Sequence, residues 1–433
     1  MRTKWVKRRL GNAVQVNPKA DPLPAEFVYI DLESVKDGEL QQRKVISRTE
    51  APSRAQRTLR TGDVLFQLVR PYQQNNLFFA PQDDADYVAS TGYGQIRTEQ
   101  ESRYFYYSLH RTDFLNRVLA LCTGTGYPAI APSELSKIVV SYPSSIDEQR
   151  RIAGILSTCD EVITRSRAAV EKLRKIKAGM LNDFFTRGIA DDGRLRPPPQ
   201  QAPKLYKDSP LGPIPKEWEV ETVDECFDLL RNNTLSRAML IEQPGRIYNV
   251  HYGDVLVKYE TIVDCARDRL PSLRADVSLG SSVDYAQEGD LVFADTAEDD
   301  TVGKAVELVN VGDLKVVAGL HTIFMRSKTR RFASRWLGYF VNSAAFHSQL
   351  LPFVAGSKVS SISRGNIKRV SVLIPSGEEQ CRVVERMASI DEEIRREEDL
   401  IAKYRSVKAG LMQRLLSPPT DAEVVDETIR EAV

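Results

Sequence analysis

The fold is decided by two stretches: residues 146–184, which read IDEQRRIAGILSTCDEVITRSRAAVEKLRKIKAGMLNDF, and residues 377–415, which read GEEQCRVVERMASIDEEIRREEDLIAKYRSVKAGLMQRL. In both stretches apolar residues recur at alternating steps of four and three, the heptad pattern of a coiled-coil helix. The first set is Ile152, Leu156, Cys159, Ile163, Val170, Leu173, Met180 and Phe184, and the second is Val383, Met387, Ile390, Ile394, Ile401, Tyr404, Leu411 and Leu415. A long helix with one apolar stripe must bury that stripe, so we expect the two helices to pack together.

The two helices also interrupt their stripes at the same places. Polar residues occupy the seam at Ser166 and Glu397, and again at Lys177 and Lys408. Because a complete globular domain separates the helices, we predict an antiparallel intramolecular coiled coil, roughly 60 Å long at 1.5 Å per residue. The alternative is that each helix lies on its own globular domain.

The chain is one module written twice. Residues 103–109 align with residues 335–341, Gly124 with Gly356 and Pro143 with Pro375, at a separation of 232 positions. From Gln149 and Gln380 onward the separation is 231, a multiple of seven, so the repeat preserves the heptad register. Upstream, residues 62–66 align with residues 289–293. Insertions therefore collect in the first part of each module.

The first part of each module reads as α+β. β-rich runs are predicted at residues 62–69, 87–97 and 137–142, with counterparts at 290–294, 314–325 and 368–374. One amphipathic helix is predicted in each module, at residues 103–121 and 333–351, and its aromatic side chains are expected in the core.

The predicted fold class is therefore α+β, with two α+β domains separated and joined by two long antiparallel coiled-coil helices. The predicted boundaries are a first domain at 1–146, a helix at 147–187, a proline-rich linker at 188–215, a second domain at 216–377, a helix at 378–416 and an acidic tail at 417–433. The prolines of the linker exclude helix and predict an extended segment with little to bury. We expect the acidic tail to be frayed.

Composition places the protein in the soluble, intracellular class. The chain has no run of 18 apolar residues, and its basic first residues are not followed by an apolar segment. Its five cysteines are scattered singly, which is typical of reduced thiols in a cytoplasm. The net charge is only +1, so any binding to nucleic acid requires local patches and help from partners.

Two similar but unequal heads held apart by a strut suit a partner with two-fold symmetry. A DNA duplex has local two-fold axes, and such a protein can present equivalent faces to two half-sites about one helical turn, roughly 34–36 Å, apart. Because the heads differ in their inserted parts, the two half-sites are expected to differ in sequence.

The ordered motifs resemble those of Type I restriction-modification specificity subunits, of the HsdS kind. The helix entries at residues 146–152 and 377–383, the segment Gly212-Pro213-Ile214-Pro215-Lys216-Glu217-Trp218 and the helix ends at residues 177–181 and 408–412 occur in family order along almost the whole chain. The resemblance implies two target recognition domains that read a bipartite asymmetric site on double-stranded DNA. It also implies two copies of a modification subunit, which carry S-adenosylmethionine and methylate adenine, and a restriction subunit that uses ATP and magnesium. No cofactor is expected on this chain.

Candidate DNA contacts are polar and basic side chains in loops, because these groups pair with base edges and phosphates. In the first domain they are Arg43, Lys44, Arg48, Arg54, Arg57, Arg60, Arg70, Tyr72, Gln73, Gln74, Asn75 and Asn76, with Thr125 and Tyr127 in a glycine-rich segment. In the second domain they are Arg231, Asn232, Asn233, Arg237, His251, Tyr252, Lys258 and Tyr259, with Ser357, Lys358, Ser360 and Ser361 in the equivalent glycine-rich segment. The backbone amides of the glycine-rich segments are expected to approach phosphates.

The starts of the two long helices carry a repeated charged group. We interpret Glu148, Arg150, Arg151, Glu379 and Arg382 either as a duplicated docking surface for two identical partner subunits or as solvated helix faces.

Two other functions were weighed. A two-headed protein scaffold that does not bind DNA is the main alternative. A metal-dependent nuclease built on Asp290, Asp295, Glu298, Asp299 and Asp300 is disfavoured, because the segment lacks an ordered carboxylate pair with a lysine partner and the first module has no counterpart beyond Asp63. The chain contains no Walker loop and no methyltransferase or nucleophile motif, so we expect it to be non-catalytic by itself.

Overall fold

The computed structural model describes residues 4–299, 301–356, 359–420 and 422–428. The chain forms two compact units. Unit 1 contains residues 1–168 and 398–433, and unit 2 contains residues 169–397. Each unit therefore takes one part of each long helix.

Two long helices and a set of short ones occur in the described residues. They are α1 (Leu10–Ala13), α2 (Ser102–Ser108), α3 (Thr112–Ala120), α4 (Pro132–Lys137), α5 (Ile146–Thr186), α6 (Val223–Cys226), α7 (Tyr252–Val257), α8 (Trp336–Val341), α9 (Ala344–Leu350), α10 (Arg364–Ile367) and α11 (Gly377–Leu415).

The strands are mostly short. Up to α5 they are β1 (Lys4–Arg9), β2 (Gln15–Val16), β3 (Glu26–Ile30), β4 (Val35–Lys36), β5 (Glu39–Leu40), β6 (Lys44–Ser47), β7 (Ala55–Thr58), β8 (Val64–Gln67), β9 (Leu77–Phe78), β10 (Tyr87–Ser90), β11 (Tyr93–Arg97) and β12 (Val139–Pro143). After α5 they are β13 (Tyr206–Lys207), β14 (Ile214–Pro215), β15 (Glu219–Thr222), β16 (Phe227–Leu230), β17 (Leu240–Ile241), β18 (Tyr248–Val250), β19 (Ile262–Asp264), β20 (Ser272–Leu273), β21 (Leu291–Ala294), β22 (Thr296–Ala297), β23 (Ala305–Val309), β24 (Val316–Ala318), β25 (Thr322–Ser327), β26 (Ser360–Ser361), β27 (Ser371–Ile374) and β28 (Glu423–Asp426).

Unit 1 is built on small sheets. Their strand orders are β6-β3-β10-β7, β2-β11-β8-β9 and β12-β1-β28. β8 is buried along its whole length and pairs antiparallel with β11, with Tyr93 opposite Gln67. Its apolar residues pack against the aromatic side chains of α2 and α3 and against the first turns of α5.

Unit 2 repeats this plan with a larger sheet. The strand order is β16-β25-β21-β23-β19, beside a second sheet of order β17-β20-β18-β24. β21 is the counterpart of β8 and is also buried throughout. A buried carboxylate precedes each of these strands. Arg97 donates two hydrogen bonds to Asp63 at 2.7 Å, and Arg326 does the same to Asp290 at 2.9 and 2.7 Å.

The two long helices are antiparallel, as predicted. In unit 1 the first part of α5 meets the last part of α11, where Lys408 Nζ lies 2.6 Å from Asp160 Oδ1. In unit 2 the last part of α5 meets the first part of α11, where Lys177 Nζ lies 2.6 Å from Asp391 Oδ1. The partner of Asp160 is Lys408, and the partner of Lys177 is Asp391. The step forward along α5 from Asp160 to Lys177 therefore equals the step backward along α11 from Lys408 to Asp391. One of the two polar interruptions in each helix, Lys177 in α5 and Lys408 in α11, thus pairs with a carboxylate of the other helix.

A tyrosine completes the same arrangement in each unit. Tyr107 of α2 donates a hydrogen bond to Asp160 Oδ2, and Tyr339 of α8 donates one to Asp391 Oδ2, both at 2.7 Å. Tyrosine and aspartate come from one repeat and the lysine from the other. Burial and the neighbouring aspartate raise the pKa of both tyrosines far above the usual value, so both remain protonated donors.

A repeated glutamine anchors each long helix to its globular part. Gln149 donates to the carbonyl of Pro143 and accepts from the amide of Glu101, and Gln380 donates to the carbonyl of Pro375 and accepts from the amide of Ala333. Both glutamines have no exposed surface. Each glutamine therefore links the first turn of its long helix to the globular part of the same unit.

The predicted amphipathic helices are each divided in two. α2 and α3 replace a single helix at 103–121, and α8 and α9 replace one at 333–351. Asn342 and Ser343 interrupt the second pair, where the Asn342 side chain bonds to β23 through Ala305. The aromatic residues are in the core, as expected: Tyr104, Phe105, Trp336 and Phe340 have no exposed surface.

The linker was wrongly predicted to have little to bury. Ile189, Tyr206 and Ile214 are buried, and β13 pairs with β14. Arg196 forms a buried ion pair with Glu379 at the start of α11. The segment after α5 is therefore packed into unit 2.

The acidic tail was wrongly predicted to be frayed over residues 422–428. β28 pairs in parallel with β1, with Lys4 opposite Glu423 and Lys7 opposite Asp426. Lys7 Nζ lies 2.7 Å from Asp426 Oδ2 and lowers the pKa of that carboxyl to about 2. The tail is held because its acidic residues face the basic residues of β1.

In the part of the chain that the structure describes, no helix is long and apolar enough to cross a bilayer.

Candidate DNA interface

The loop after β8 in unit 1 is held in a strained conformation. Arg70 has φ 55° and Gln74 has φ 51°, both in the left-handed region that side-chain-bearing residues rarely adopt. Between them, residues 71–73 form one turn of 3-10 helix. Strain of this kind persists where surrounding contacts enforce it and is typical of functional loops. The turn presents Tyr72 and Gln73 to solvent.

A buried glutamine that the sequence analysis missed supports this loop. Gln67, the last residue of β8, donates through Nε2 to Gln73 Oε1 at 2.8 Å and accepts from the amide of Asn75 at 3.0 Å. Gln67 is almost fully buried. A polar residue at a core position of a strand was the available signal.

The glycine-rich segment of unit 1 lies beside the same loop. Thr123 and Ala129 exchange backbone hydrogen bonds of 2.9 and 3.0 Å, which closes a hairpin over residues 124–128. The amide of Arg70 donates to the carbonyl of Pro128, and the Arg70 guanidinium lies 4.3 Å from the centre of the Tyr127 ring. Two segments predicted separately as DNA contacts are thus brought together.

Asn76 is the exception in this loop, because its side chain faces the interior of unit 1. It is buried, its oxygen accepts from the amide of Gln67, and its Nδ2 donates to His110 Nε2 at 3.2 Å. His110 Nδ1 donates to the carbonyl of Tyr106, which leaves Nε2 as the acceptor. Burial lowers the pKa of His110 to about 4. Asn76 is a structural residue because both ends of its amide are already used inside the unit.

A wide groove in unit 1 continues from the strained loop to the long helices. Its volume is about 990 Å³, and its lining includes Gln73, Gln74, His110, Asp160 and Lys408. The loop and the lysine–aspartate pair of the helices therefore share one concave surface.

The basic residues that precede the loop differ in their freedom. Lys44 and Arg54 are exposed, and Arg48 reaches only the carbonyl of Leu23, at 3.4 Å. Exposed ion pairs hold two others, Arg43 with Asp83 and Arg60 with Asp21, each at 2.9 Å. Such pairs are weak and can be exchanged for phosphate contacts.

Arg57 is half-buried in β7. Burial lowers the pKa of its guanidinium, and its Nε has no hydrogen-bond partner among the described residues.

In unit 2, the residues after β16 are tied to the strands beside them. Asn232 Nδ2 donates to the carbonyl of Thr322 at 2.9 Å, and Asn232 Oδ1 accepts from Arg364. Asn233 is bonded to the carbonyl of Ala318 through both its amide and its side chain. The Arg231 side chain is exposed. Asn232 and Arg364 form a donor-rich pair that the sequence analysis had only half identified.

Two residues predicted as DNA contacts in unit 2, His251 and Tyr259, have buried side chains. His251 Nδ1 accepts from the amide of Gly253 and caps α7, and burial lowers the pKa of His251. Tyr259 is buried and donates to the carbonyl of Arg269. Both residues are structural.

Three further predicted residues of unit 2 keep some exposure. Arg237 is paired with buried Asp254, and Lys258 donates to the carbonyl of Arg269 at 2.8 Å. Tyr252 is half-exposed between His251 and His321.

The glycine-rich hairpin recurs in unit 2. Ala355 and Ser361 exchange backbone hydrogen bonds of 3.1 and 2.9 Å, as Thr123 and Ala129 do in unit 1. β26, which contains Ser360 and Ser361, pairs with β22. Ser357 and Lys358 lie outside the described residues. The neighbouring segment after β22, which corresponds to the strained loop of unit 1, carries exposed Glu298 and Asp299 instead of Arg and Gln.

Asp290 and Asp295, on either side of β21, have partners within the protein. Asp290 accepts two hydrogen bonds from Arg326 and one from the amide of Gln287. Asp295 lies 3.6 Å from His321. Asp300 lies outside the described residues.

The repeated charges at the helix starts are not equivalent. Glu148 and Arg151 are paired to each other at 2.6 Å on an open face, and Arg150 is exposed beside Asp147. Glu379 is buried and accepts from Trp218, Arg196 and the amide of Ile189. The carboxylate of Glu379 is therefore used inside unit 2, and Arg382 is paired with Asp191 of the linker at 2.8 Å.

Comparison with known proteins agrees with this architecture. Residues 60–173, which hold the strained loop, the hairpin of unit 1 and the first part of α5, match the family described as Type I restriction modification DNA specificity domain. The Type I restriction enzyme MjaVIII specificity subunit of Methanocaldococcus jannaschii is 26% identical over 335 residues, which cover 74% of this chain and 72% of that protein.

The chain is thus similar to Type I specificity subunits.

Solved structures of Type I specificity subunits share the fold over nearly the whole chain. The S subunit of the Type I restriction-modification system from M. genitalium has a TM-score of 0.56 at 13% identity, and the alignment covers 96% of this chain and 97% of that one. A chain solved in work on assembly and conformational transition of the type I R-M system has a TM-score of 0.52 at 18% identity, covering 95% and 97%. At these identities the likeness concerns the fold alone.

Proposed function

We propose that this chain is the DNA sequence-specificity subunit of a Type I restriction-modification complex. The observation that carries the proposal is the duplicated surface, in which each unit presents a closed glycine hairpin beside the loop that follows its central strand. Loops of polar and basic residues held by a rigid sheet are suited to reading base edges.

The recognised site is bipartite and asymmetric. Two homologous surfaces suit two half-sites, and the unlike residues of the two surfaces suit unlike sequences. Arg70, Gln73 and Gln74 offer donors to purines in unit 1. Glu298 and Asp299 occupy the corresponding place in unit 2, where carboxylates accept from amino groups.

The chain works with partner subunits. Two copies of a modification subunit supply S-adenosylmethionine and methylate adenine, and a restriction subunit supplies the ATP- and magnesium-dependent steps. The near-neutral net charge of this chain supports an arrangement in which partners make many of the phosphate contacts. The assembly acts in the cytoplasm, and this chain is non-catalytic by itself.

The decisive experiment is methylation mapping. Expression of the chain with its modification partner in a host without adenine methylation should produce one motif with two defined halves and an undefined spacer. A matched host that expresses the partner alone should show none. A complex that neither methylates nor binds DNA would instead favour the two-headed scaffold.

A further inference from the structure

Each glycine hairpin carries an exposed apolar side chain at its tip. Tyr127 is 68% exposed and Val359 is 47% exposed. Both lie two residues before the closing residue of the hairpin, Ala129 in unit 1 and Ser361 in unit 2. One exposed apolar residue is ordinary, but the same position in two otherwise diverged units indicates a shared use.

The hairpins are shaped around these tips. Gly124 has φ +93° and Gly356 has φ +115°, which favour glycine. A Cβ on Gly356 would lie 1.9 Å from the carbonyl oxygen of Val359, and one on Gly124 would lie 3.1 Å from that of Tyr127. The backbone of each tip residue therefore folds closely over its glycine, which leaves the tip side chain outside.

The surroundings of Tyr127 leave part of its ring for a ligand. The guanidinium of Arg70 covers the ring at 4.3 Å from its centre, while most of the side chain remains exposed. A base that stacks on the uncovered ring surface would complete a layer of guanidinium, phenol and base, an arrangement that single-stranded or unstacked bases favour. Valine has no group that binds a phosphate, so a phosphate contact does not explain the second tip.

We propose that Tyr127 and Val359 are wedges that enter the base stack of the two half-sites. The inference rests on the proposed function. A partner that methylates adenine must take that base out of the duplex, which costs a few kcal/mol of lost stacking and pairing. Apolar side chains inserted at a base step partly unstack it and kink the duplex, and so lower that cost.

The test uses the complex with its modification subunit and the duplex identified by methylation mapping, with 2-aminopurine placed at successive steps of each half-site. Wild type and Tyr127→Phe should raise the fluorescence severalfold at one step of the first half-site. Tyr127→Ala should lose that signal and keep the signal of the second half-site, and Val359→Ala should do the reverse. Matched controls are Val45→Ala in unit 1 and Val257→Ala in unit 2, because both valines are exposed, at 58% and 87%, away from the hairpins.

Affinity measured against salt separates a wedge from a phosphate contact. Tyr127→Ala should weaken cognate binding about tenfold, as expected for loss of one stacked base, and leave the salt dependence unchanged. A reduced salt slope, or fluorescence that is the same in the alanine variants and in wild type, would overturn the inference. Failure of the wild-type complex to methylate a bipartite motif would overturn the proposed function instead.

Discussion

Arg70 connects the strained loop of unit 1 to the glycine-rich hairpin. Its strained backbone begins the loop, its amide holds the hairpin through Pro128, and its guanidinium stacks on Tyr127. Replacement by alanine removes the charge and the stacking but leaves the buried Gln67 contacts in place.

We expect Arg70→Ala and Gln73→Ala to weaken binding to the cognate site by about tenfold or more, because each removes donors to a base edge. Binding to random duplex should change little. Filter binding or anisotropy with both duplexes measures the difference, and Val45→Ala, at an exposed position of β6 outside the loop, serves as a control. Equal losses on cognate and random DNA would contradict base reading by this loop.

His110 makes unit 1 sensitive to acid. Its pKa is about 4 in the folded protein and about 6.5 in an unfolded chain, so the unfolded state binds the proton more tightly. The free energy of unfolding should fall as the pH drops from 6.5 toward 4. Urea denaturation across this range, followed by a probe in unit 1, should show a shallower pH dependence for His110→Gln. An unchanged slope would mean that His110 is not the titrating group.

Glu307 should give unit 2 the opposite dependence. It is buried in β23, where it accepts from the amides of Arg335 and Gly338 at 2.6 and 2.7 Å, and burial raises its pKa to about 7. The folded state then binds the proton more tightly than the unfolded chain, so stability should fall as the pH rises from about 4.5 to 7. Glu307→Gln should flatten this slope in the same denaturation series. A slope retained in the variant would contradict the assignment.

Ion pairs as well as apolar contacts join the two long helices. Lys177 of α5 is almost fully buried and reaches Asp391 of α11, while the equivalent Lys408 is more exposed beside Asp160. Removal of one partner from a buried pair leaves an uncompensated charge, and the cost falls as the pair becomes more exposed.

Lys177→Met should therefore destabilise unit 2 by about 2–4 kcal/mol, and Lys408→Met should destabilise unit 1 by about 1 kcal/mol. The exposed neighbour Lys175→Met should change stability by less than about 0.5 kcal/mol. Chemical denaturation measures all three. If Lys177→Met with Asp391→Asn were no more stable than Lys177→Met alone, the loss would have to be assigned to packing and not to the unpaired aspartate.

The helix pair was predictable because its signal is periodic and repeated. The heptads predicted both long helices and their antiparallel pairing, and the internal repeat predicted two α+β domains. The tail and the linker were not predictable, since their order depends on partners far away in sequence: β28 needs β1, and Arg196 needs Glu379.

The candidate interface was predictable only in outline. Composition favoured the loop of residues 70–76 and both hairpins, but burial separates residues that look alike in sequence. Asn75 is partly exposed while its neighbour Asn76 is buried. His251 caps α7, a helix too short to produce a periodic apolar pattern in the sequence. Gln67 carried a signal, a polar residue at a core position of a strand, whereas Arg364 lies in a short helix without a distinctive pattern.

At the scale of the whole molecule, the two units should be separable in specificity. Each presents its own hairpin and loop, and the core clusters of the two units are distinct. Exchange of residues 70–76 for the corresponding segment of a relative should therefore alter one half of the methylated motif and keep the other half. Methylation mapping of the exchanged protein, beside an exchange of residues 81–86 as a control, measures this. Loss of both halves together would contradict independent reading.

Unit 1 is discontinuous, because its last strand, β28, lies at the other end of the chain from β1. During synthesis on the ribosome, residues 169–397 emerge as one continuous piece and are able to finish folding first. The sheet of unit 1 stays incomplete, with one edge of β1 unpaired, until β28 has been synthesised. A nascent or clipped chain that lacks β28 thus exposes a basic strand edge, and unpaired edges of this kind favour aggregation with other chains.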